Sequence, residues 1–240
     1  MNQYWVEDIY GPVIQGEGPL LGRPTIFVRM AGCDNRCEWC DTSYAVLPQY
    51  KSQWKRMTAE EIVEAVRVLD PPSDQWMVTF SGGNPLLQDL DEVLSLLIAE
   101  GRFRIIAVET QGTKYRPCVD KVYYLVISPK PPSSGCMTDL DSEDLKRCAE
   151  HFNSFFKIVV FDEEDWEYAM EVRQRFWLSH CDRFYLQAGT MMEAQSLSGV
   201  REAIYERLIW LQDKVLSWGD PDIIVLPQMH TLLHGQKRGI

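Results

Sequence analysis

Cys33, Cys37 and Cys40 lie in the stretch RMAGCDNRCEWCDTSY, three thiols within eight residues of a 240-residue chain. Thiolates at this density suit metal binding, and as ligands they select zinc or iron–sulfur clusters. A structural zinc site closes with four ligands, usually as two pairs set well apart along the chain. The other cysteines, Cys118, Cys136, Cys148 and Cys181, form no second pair in the sequence, and none is close to the loop. Two arrangements therefore stay open. One is zinc completed by a remote ligand such as His230. The other is a cubane cluster in which three thiolates hold three irons and the fourth iron takes an external ligand.

Seven short β-rich runs must position this loop: TIFVRM (25–30), MVTFS (77–81), IIAVET (105–110), YYLVIS (123–128), KIVVF (157–161), FYLQA (184–188) and IIVLP (223–227). Most are nearly continuous apolar, as in strands covered on both faces. Helical patterns separate them. TAEEIVEAVRVL opens with Thr58 and Glu61 at capping-box spacing and puts Ile62, Val63, Val66 and Leu69 on one face. LDEVLSLLIAEG ends at Gly101, a C-cap candidate. EEDWEYAMEVRQRFW and SGVREAIYERLIWLQDKVL supply two more helices. Such β-α alternation predicts an α/β fold with a parallel sheet and right-handed crossovers. The chain is short for a complete eight-fold barrel of about 250 residues. An abbreviated, partly open (β/α) barrel of about six parallel strands, in a single domain over residues 1–240, is the expectation.

Chemically capable residues cluster where these runs end: AGCDNRCEWCDT, SGGNP, ETQGT, SPK, QAG and QMH. In parallel α/β folds, the C-terminal edge of the sheet is where ligands bind. Six such ends point to one shared pocket. With 24 basic against 35 acidic residues the net charge is −11, a poor match to nucleic-acid backbones. No apolar run approaches the roughly 18 residues of a membrane span, and MNQYWVEDIYG lacks the form of a secretion signal. A cytoplasmic location with reduced cysteines is expected.

CDNRCEWC has the C-x3-C-x2-C spacing of the radical S-adenosylmethionine (radical SAM) superfamily, with an aromatic residue, Trp39, before the last cysteine. SGGNP stands where that superfamily has its glycine-rich motif. More narrowly, the chain resembles the 7-carboxy-7-deazaguanine synthase family through GPVIQGEGPLLGRPTIFVRMAGCDNRCEWCDTSYA, VTFSGGNPLL, VETQGT, VISPKPPSS and VLPQMHTLLHGQKRGI, in order from residue 11 onward. QGEG, SPKPPSS and PQMHTLLHGQKRG narrow the match beyond the superfamily.

The resemblance implies a radical SAM core in which Cys33, Cys37 and Cys40 hold a catalytic 4Fe–4S cluster. It implies S-adenosylmethionine contacts from Trp39, Cys40, Asp41, Gly83, Ser128, Pro129, Lys130 and Gln187. Gly82 and Gly83, lacking Cβ atoms, would let the backbone approach that cofactor. Asn84 stands where many superfamily members carry Glu, so an amide would meet the cofactor's amine. Thr42 would help bind Mg2+, although Asp41 or Thr42 would serve equally as a helix N-cap. The substrate implied is 6-carboxy-5,6,7,8-tetrahydropterin, at Ile14, Gln15, Gly16, Glu17, Arg29, Ser81, His230 and the Ile240 carboxylate. Gln15 and Glu17 suit the aminopyrimidinone edge, and Arg29 suits a carboxylate. The reaction would be a radical ring contraction with loss of ammonia and catalytic use of S-adenosylmethionine. A flavodoxin or ferredoxin would supply electrons, and the resemblance suggests a homodimer. An activase acting on a partner protein is the alternative within the superfamily; QGEG argues against it.

Overall fold

All seven apolar runs form strands. The computed structural model describes residues 2–69, 76–103, 105–176, 183–190, 196–235 and 237–239. These contain β1 (Gln3–Ile14), β2 (Pro24–Met30), β3 (Lys55–Thr58), β4 (Met77–Gly82), β5 (Ile105–Thr110), β6 (Tyr124–Ile127), β7 (Ser154–Val160), β8 (Phe184–Ala188) and β9 (Ile223–Pro227). The helices among them are α1 (Ser43–Val46), α2 (Ala59–Leu69), α3 (Asp91–Glu100), α4 (Glu143–Ala149), α5 (Glu163–Arg175), α6 (Leu197–Trp218) and α7 (Met229–His234). None of these helices is long and apolar enough to cross a membrane.

The described strands make one open sheet in the order β3-β1-β2-β4-β5-β6-β7-β8-β9. From β2 onward every neighbouring pair is parallel, which makes seven parallel strands rather than about six. β1 pairs antiparallel with both β2 and β3. Neither of these two strands reads clearly from sequence. QYWVEDIYGPVI carries charge in mid-run, has two register shifts and is largely half-buried; KRMT is a four-residue edge strand.

Period-two alternation sorts the parallel strands into two faces. One face carries Val28, Phe80, Val108, Ile127, Ile158 and Leu186, which pack with helix residues such as Ile62, Val66, Leu94, Val172 and Leu211 into the main core. α2 starts where expected. Glu61 N donates to Thr58 Oγ1 at 3.3 Å, and Thr58 N donates to Glu61 Oε2 at 2.7 Å. Gly101 caps α3 in the left-handed region, with φ +67°.

The opposite face is apolar only at one end. Leu20, on the loop after β1, is fully buried there against Met77, Ala107 and Val126. Further along the same strands the residues turn polar. Thr25 and Thr79 share a 2.8 Å hydroxyl contact, and Ser81, Glu109, Ser128 and Lys157 follow. This side of the sheet is therefore a plugged base below a polar cup.

Candidate active site at the strand ends

One pocket occupies the polar cup, and the ends of β2, β4, β5, β6, β7 and β9 all reach it. Cys33, Cys37 and Cys40 face it from the loop after β2, with Trp39, Asp41 and Thr42. The loop is held from below by the turn after β4. Gly83 N donates to Met30 O at 3.2 Å, and Asn84 N donates to Gly32 O at 2.8 Å. A Cβ at Gly83 would lie 2.0 Å from Gly32 O, and one at Gly82, whose φ is +138°, would lie 2.1 Å from Met30 O. The paired glycines therefore let two stretches of backbone meet. Both glycines also line the pocket, so the want of a Cβ that admits the cysteine loop serves the pocket wall as well. Gly83→Ala is expected to displace that loop, costing about 1–3 kcal/mol by analogy with overpacked cores, and to cut iron uptake. Melting and iron analysis of the reconstituted chain check this; unchanged values for both would refute it.

Hydrogen-bond donors meet the thiols. Gln111 Nε2 donates to Cys33 Sγ and to Asp34 Oδ1, both at 3.0 Å, and Asn35 N lies 3.4 Å from the same sulfur. Thr42 Oγ1 is 3.8 Å from Cys40 Sγ. Thr42 occupies the N-cap position of α1 but makes no capping bond, so the capping role is not what its hydroxyl does. Burial pushes all three thiols up, Cys37 to about 12.

The sequence suggested that no other cysteine lies near the loop, and the fold corrects this: Cys136 Sγ sits 3.5 Å from Cys37 Sγ. Chain separation hid the contact, because Cys136 arrives on the loop after β6. Asn84 is also corrected. It is fully buried and absent from the pocket wall. Its amide donates to Asp34 Oδ1 and Thr113 Oγ1, each at 3.0 Å, and accepts from Thr110 Oγ1 at 3.0 Å and Leu86 N at 3.2 Å. With both donors and both lone pairs committed, Asn84 positions Asp34 beside Cys33 and offers a cofactor nothing.

The pocket floor is a charged network. Lys157, on β7, pairs with Glu17 on the loop after β1, the two side chains being 7% and 13% exposed. Gln228 Nε2 donates to Glu17 Oε1 at 2.7 Å. His230 Nδ1 lies 3.9 Å from Glu17 Oε1, and its Nε2 lies 3.9 Å from Asp41 Oδ2. Burial pushes the Glu17 carboxyl up, but the Lys157 ammonium, His230 and Gln228 outweigh it and hold it at about 2. Burial pulls Lys157 down, yet Glu17 and Glu109 leave it raised. Gln15 Nε2 donates to Glu109 Oε1 at 2.8 Å, and Ser81 Oγ is 3.5 Å from Glu109 Oε2.

Arg29 has a different environment. Its Nη2 donates to Tyr10 OH at 2.6 Å, and its guanidinium lies 5.5 and 5.9 Å from the Tyr10 and Tyr44 ring centres. Burial pulls Arg29 down, but Tyr10, Tyr44 and Asp41 leave it raised. No ion pair among the described residues includes it, so its charge is available for a carboxylate. The charged residues on the described wall are Arg29, Lys130, Lys157, Lys237 and Arg238 against Glu17, Asp41 and Glu109. A chain of net charge −11 thus carries a locally cationic pocket, suited to anionic ligands.

Comparison with known proteins bears on this arrangement. Residues 27–125 match the radical SAM superfamily. A 7-carboxy-7-deazaguanine synthase from Bacillus subtilis is 40% identical over 247 residues, covering 98% of each chain. One from Bacillus cereus is 36% identical over 249 residues, covering all of both. The chain belongs to the 7-carboxy-7-deazaguanine synthase family. It is a radical SAM enzyme. A crystal structure of QueE from Escherichia coli shares the fold, with TM-score 0.67 and 95% coverage of each chain at 19% identity.

The residues present fit the family's cofactors. Among the described residues no three Cys, His, Asp or Glu side chains converge as a lone metal ion requires. Three thiols ringing one pocket suit a body larger than a single ion, and N–H groups aimed at sulfur suit thiolate ligands of a cluster. His230 faces Glu17 and Asp41, so it is not placed as the remote fourth zinc ligand. Trp39 packs 5.2 Å from the Phe161 ring, and Lys130 Nζ lies over Trp39 and 3.2 Å from Ser128 Oγ.

Of the positions expected from sequence, Ile14, Gln15, Gly16, Glu17, Arg29, Ser81, Gly83, Ser128, Lys130 and His230 line the pocket together with the cysteine loop. Pro129 and Gln187 do not: both are buried, and Gln187 Nε2 donates to Pro227 O at 3.2 Å. Ile240 lies outside the described residues. The sequence reading gave no individual role to Tyr10, Glu109, Lys157, Phe161, Lys237 and Arg238 on the same wall, although Glu109 stood in the polar strand end ETQGT. Lys157 did carry a signal, since a lysine opening an apolar strand run needs a partner when buried.

Proposed function

We propose that this enzyme converts 6-carboxy-5,6,7,8-tetrahydropterin to 7-carboxy-7-deazaguanine with loss of ammonia, with residues 1–240 acting as one domain. In this reading it works in the cytoplasm as a homodimer and receives electrons from a flavodoxin or ferredoxin. The observation that carries the reading is the buried polar floor of Gln15, Glu17, Glu109 and Lys157 lying opposite the three-cysteine loop in one pocket. An activase would need a docking surface, whereas this array is built to orient a small polar molecule.

Cys33, Cys37 and Cys40 would hold a 4Fe–4S cluster, which with S-adenosylmethionine supplies a carbon-centred radical. Trp39, Cys40, Asp41, Gly83, Ser128 and Lys130 would seat the S-adenosylmethionine, with Lys130 meeting its carboxylate. Pro129 and Gln187 support that wall from behind. Glu17, held ionised by Lys157, and Glu109 present acceptors to the N–H groups of the aminopyrimidinone, while the amide of Gln15 fixes Glu109. Ile14, Gly16, Ser81 and His230 complete the substrate wall, and the terminal carboxylate of Ile240 would join them. Arg29 takes the substrate carboxylate. Thr42 would give Mg2+ one oxygen ligand, which suffices for an ion that keeps several waters.

Anaerobic turnover of the reconstituted enzyme tests the reading. With the carboxytetrahydropterin, S-adenosylmethionine, Mg2+ and a strong reductant, deazapurine is expected in excess of S-adenosylmethionine consumed, and at a lower rate without Mg2+. Cleavage of S-adenosylmethionine with no deazapurine would overturn the substrate assignment.

A further inference from the structure

Cys136 is the described cysteine outside the metal loop that the fold carries to it. Its Sγ lies 3.5 Å from Cys37 Sγ, about van der Waals contact for two sulfurs. Several bonds build this approach. Glu38 N donates to Ser134 O at 3.0 Å, Trp39 Nε1 donates to Ser133 Oγ at 3.0 Å, and Cys136 N donates to Ser134 Oγ at 3.1 Å. Gly135, between Ser134 and Cys136, turns the loop with φ +69°, a backbone conformation that favours glycine. The two loops are thus zipped along the length that carries both sulfurs. Both thiols are half-buried, open to a small oxidant. Cys33 is instead occupied by Gln111 and Asn35, and Cys40 faces Thr42.

We propose that Cys37 and Cys136 form a redox-modification pair. In the cluster-free chain, hydrogen peroxide converts them to a disulfide that withholds one cluster ligand, and a dithiol reductant restores it. The inference rests on the assignment of Cys33, Cys37 and Cys40 as cluster ligands. One thiol attacks a peroxide oxygen, the O–O bond breaks, and one water leaves behind a sulfenic acid. The second sulfur then attacks the first, the S–S bond forms as the S–O bond breaks, and a second water leaves. Two thiols and one peroxide become one disulfide and two waters; sulfur gives up two electrons and oxygen takes them. A disulfide needs the sulfurs about 2.05 Å apart, and this pair starts from 3.5 Å. The bond would also shield Cys37 from irreversible oxidation to the sulfinic acid and keep the chain reloadable.

The test strips iron anaerobically with a chelator, adds one equivalent of hydrogen peroxide, alkylates free thiols and digests without reduction. The Cys37 and Cys136 peptides are expected joined, lighter by two hydrogens, and separated by dithiothreitol. In a portion neither alkylated nor digested, iron and sulfide uptake should fail before dithiothreitol and recover fully after it. C136S, with its fold confirmed by melting and given two equivalents of peroxide, the stoichiometry of a sulfinic acid, should lose uptake that dithiothreitol does not restore, where the wild type at the same dose recovers. In the loaded wild-type enzyme the link should be absent. Cys37 joined to Cys33 or Cys40, or found as sulfinic acid with Cys136 alkylated, would overturn the pair. Iron and sulfide content reports on the cluster separately. A chain that loads normally yet never cross-links overturns the pair alone; one that cross-links but never takes up iron overturns the reading of the site.

Discussion

Replacing Lys157 by methionine is expected to lower the unfolding free energy by about 3–5 kcal/mol, the usual cost of stranding one member of a buried ion pair, and to abolish turnover. Methionine keeps much of the apolar stem, so the loss reports the charge and not a cavity. Glu17 would retain the Gln228 amide and His230. Without the ammonium the largest influence opposing its burial is gone, and the carboxyl should rise from its present low value. The pair has a defined pH window. Glu17 is held at about 2, so its contribution is complete above the ordinary carboxylate value near 4.5 and fades as pH falls from there toward 2. Lys157 is raised above 10.5, so its contribution is complete below that value and fades as pH climbs through the higher folded value. The gap between wild type and K157M should therefore be widest between the raised Glu17 value of the variant and about pH 10, and narrow on either side. The double variant E17Q/K157M should regain most of the stability while remaining inactive, which separates the pair's structural role from its role in the pocket. Chemical denaturation measures all three. Equal midpoints for wild type and K157M would mean that the pair holds nothing together.

The second large effect is at the metal loop. Cys40→Ala is expected to leave melting nearly unchanged, because Cys40 is half-buried and its one described polar contact is with Thr42. Reconstitution should nevertheless fail, with little iron or sulfide retained and turnover below detection. Two thiolates cannot replace three in fixing a cluster that already leaves one iron open. Gln111→Ala provides the comparison. It removes the N–H donor from Cys33 Sγ but keeps all ligands, so iron should be retained while the reduction potential falls, since the lost hydrogen bond stabilised the more electron-rich state. Full iron content in C40A would show that this loop is not the cluster's seat.

The two regions differed in how far their sequence could be read. The three thiols, the turn glycines and the polar strand ends are local signals, and each kept its element when the chain folded. β1 was opaque because an antiparallel strand mixing charged and apolar residues has no clean period. Gln187 was assigned by resemblance to the ligand wall, yet its amide bonds backward to Pro227 O. Asn84 was read from its place in a motif, and only its four partners show that it is spent on structure.

The sequence alone determined the chemistry available: three closely spaced thiols, an α/β alternation and a set of polar strand ends, all carried by short-range pattern. Tertiary structure decided which of those groups act on one another. The Lys157–Glu17 pair and the Cys37–Cys136 contact join residues 140 and 99 positions apart. They exist because a parallel sheet brings distant strand ends to a common edge. Buried charges and thiols are governed by what surrounds them in space, and no local spacing rule records that.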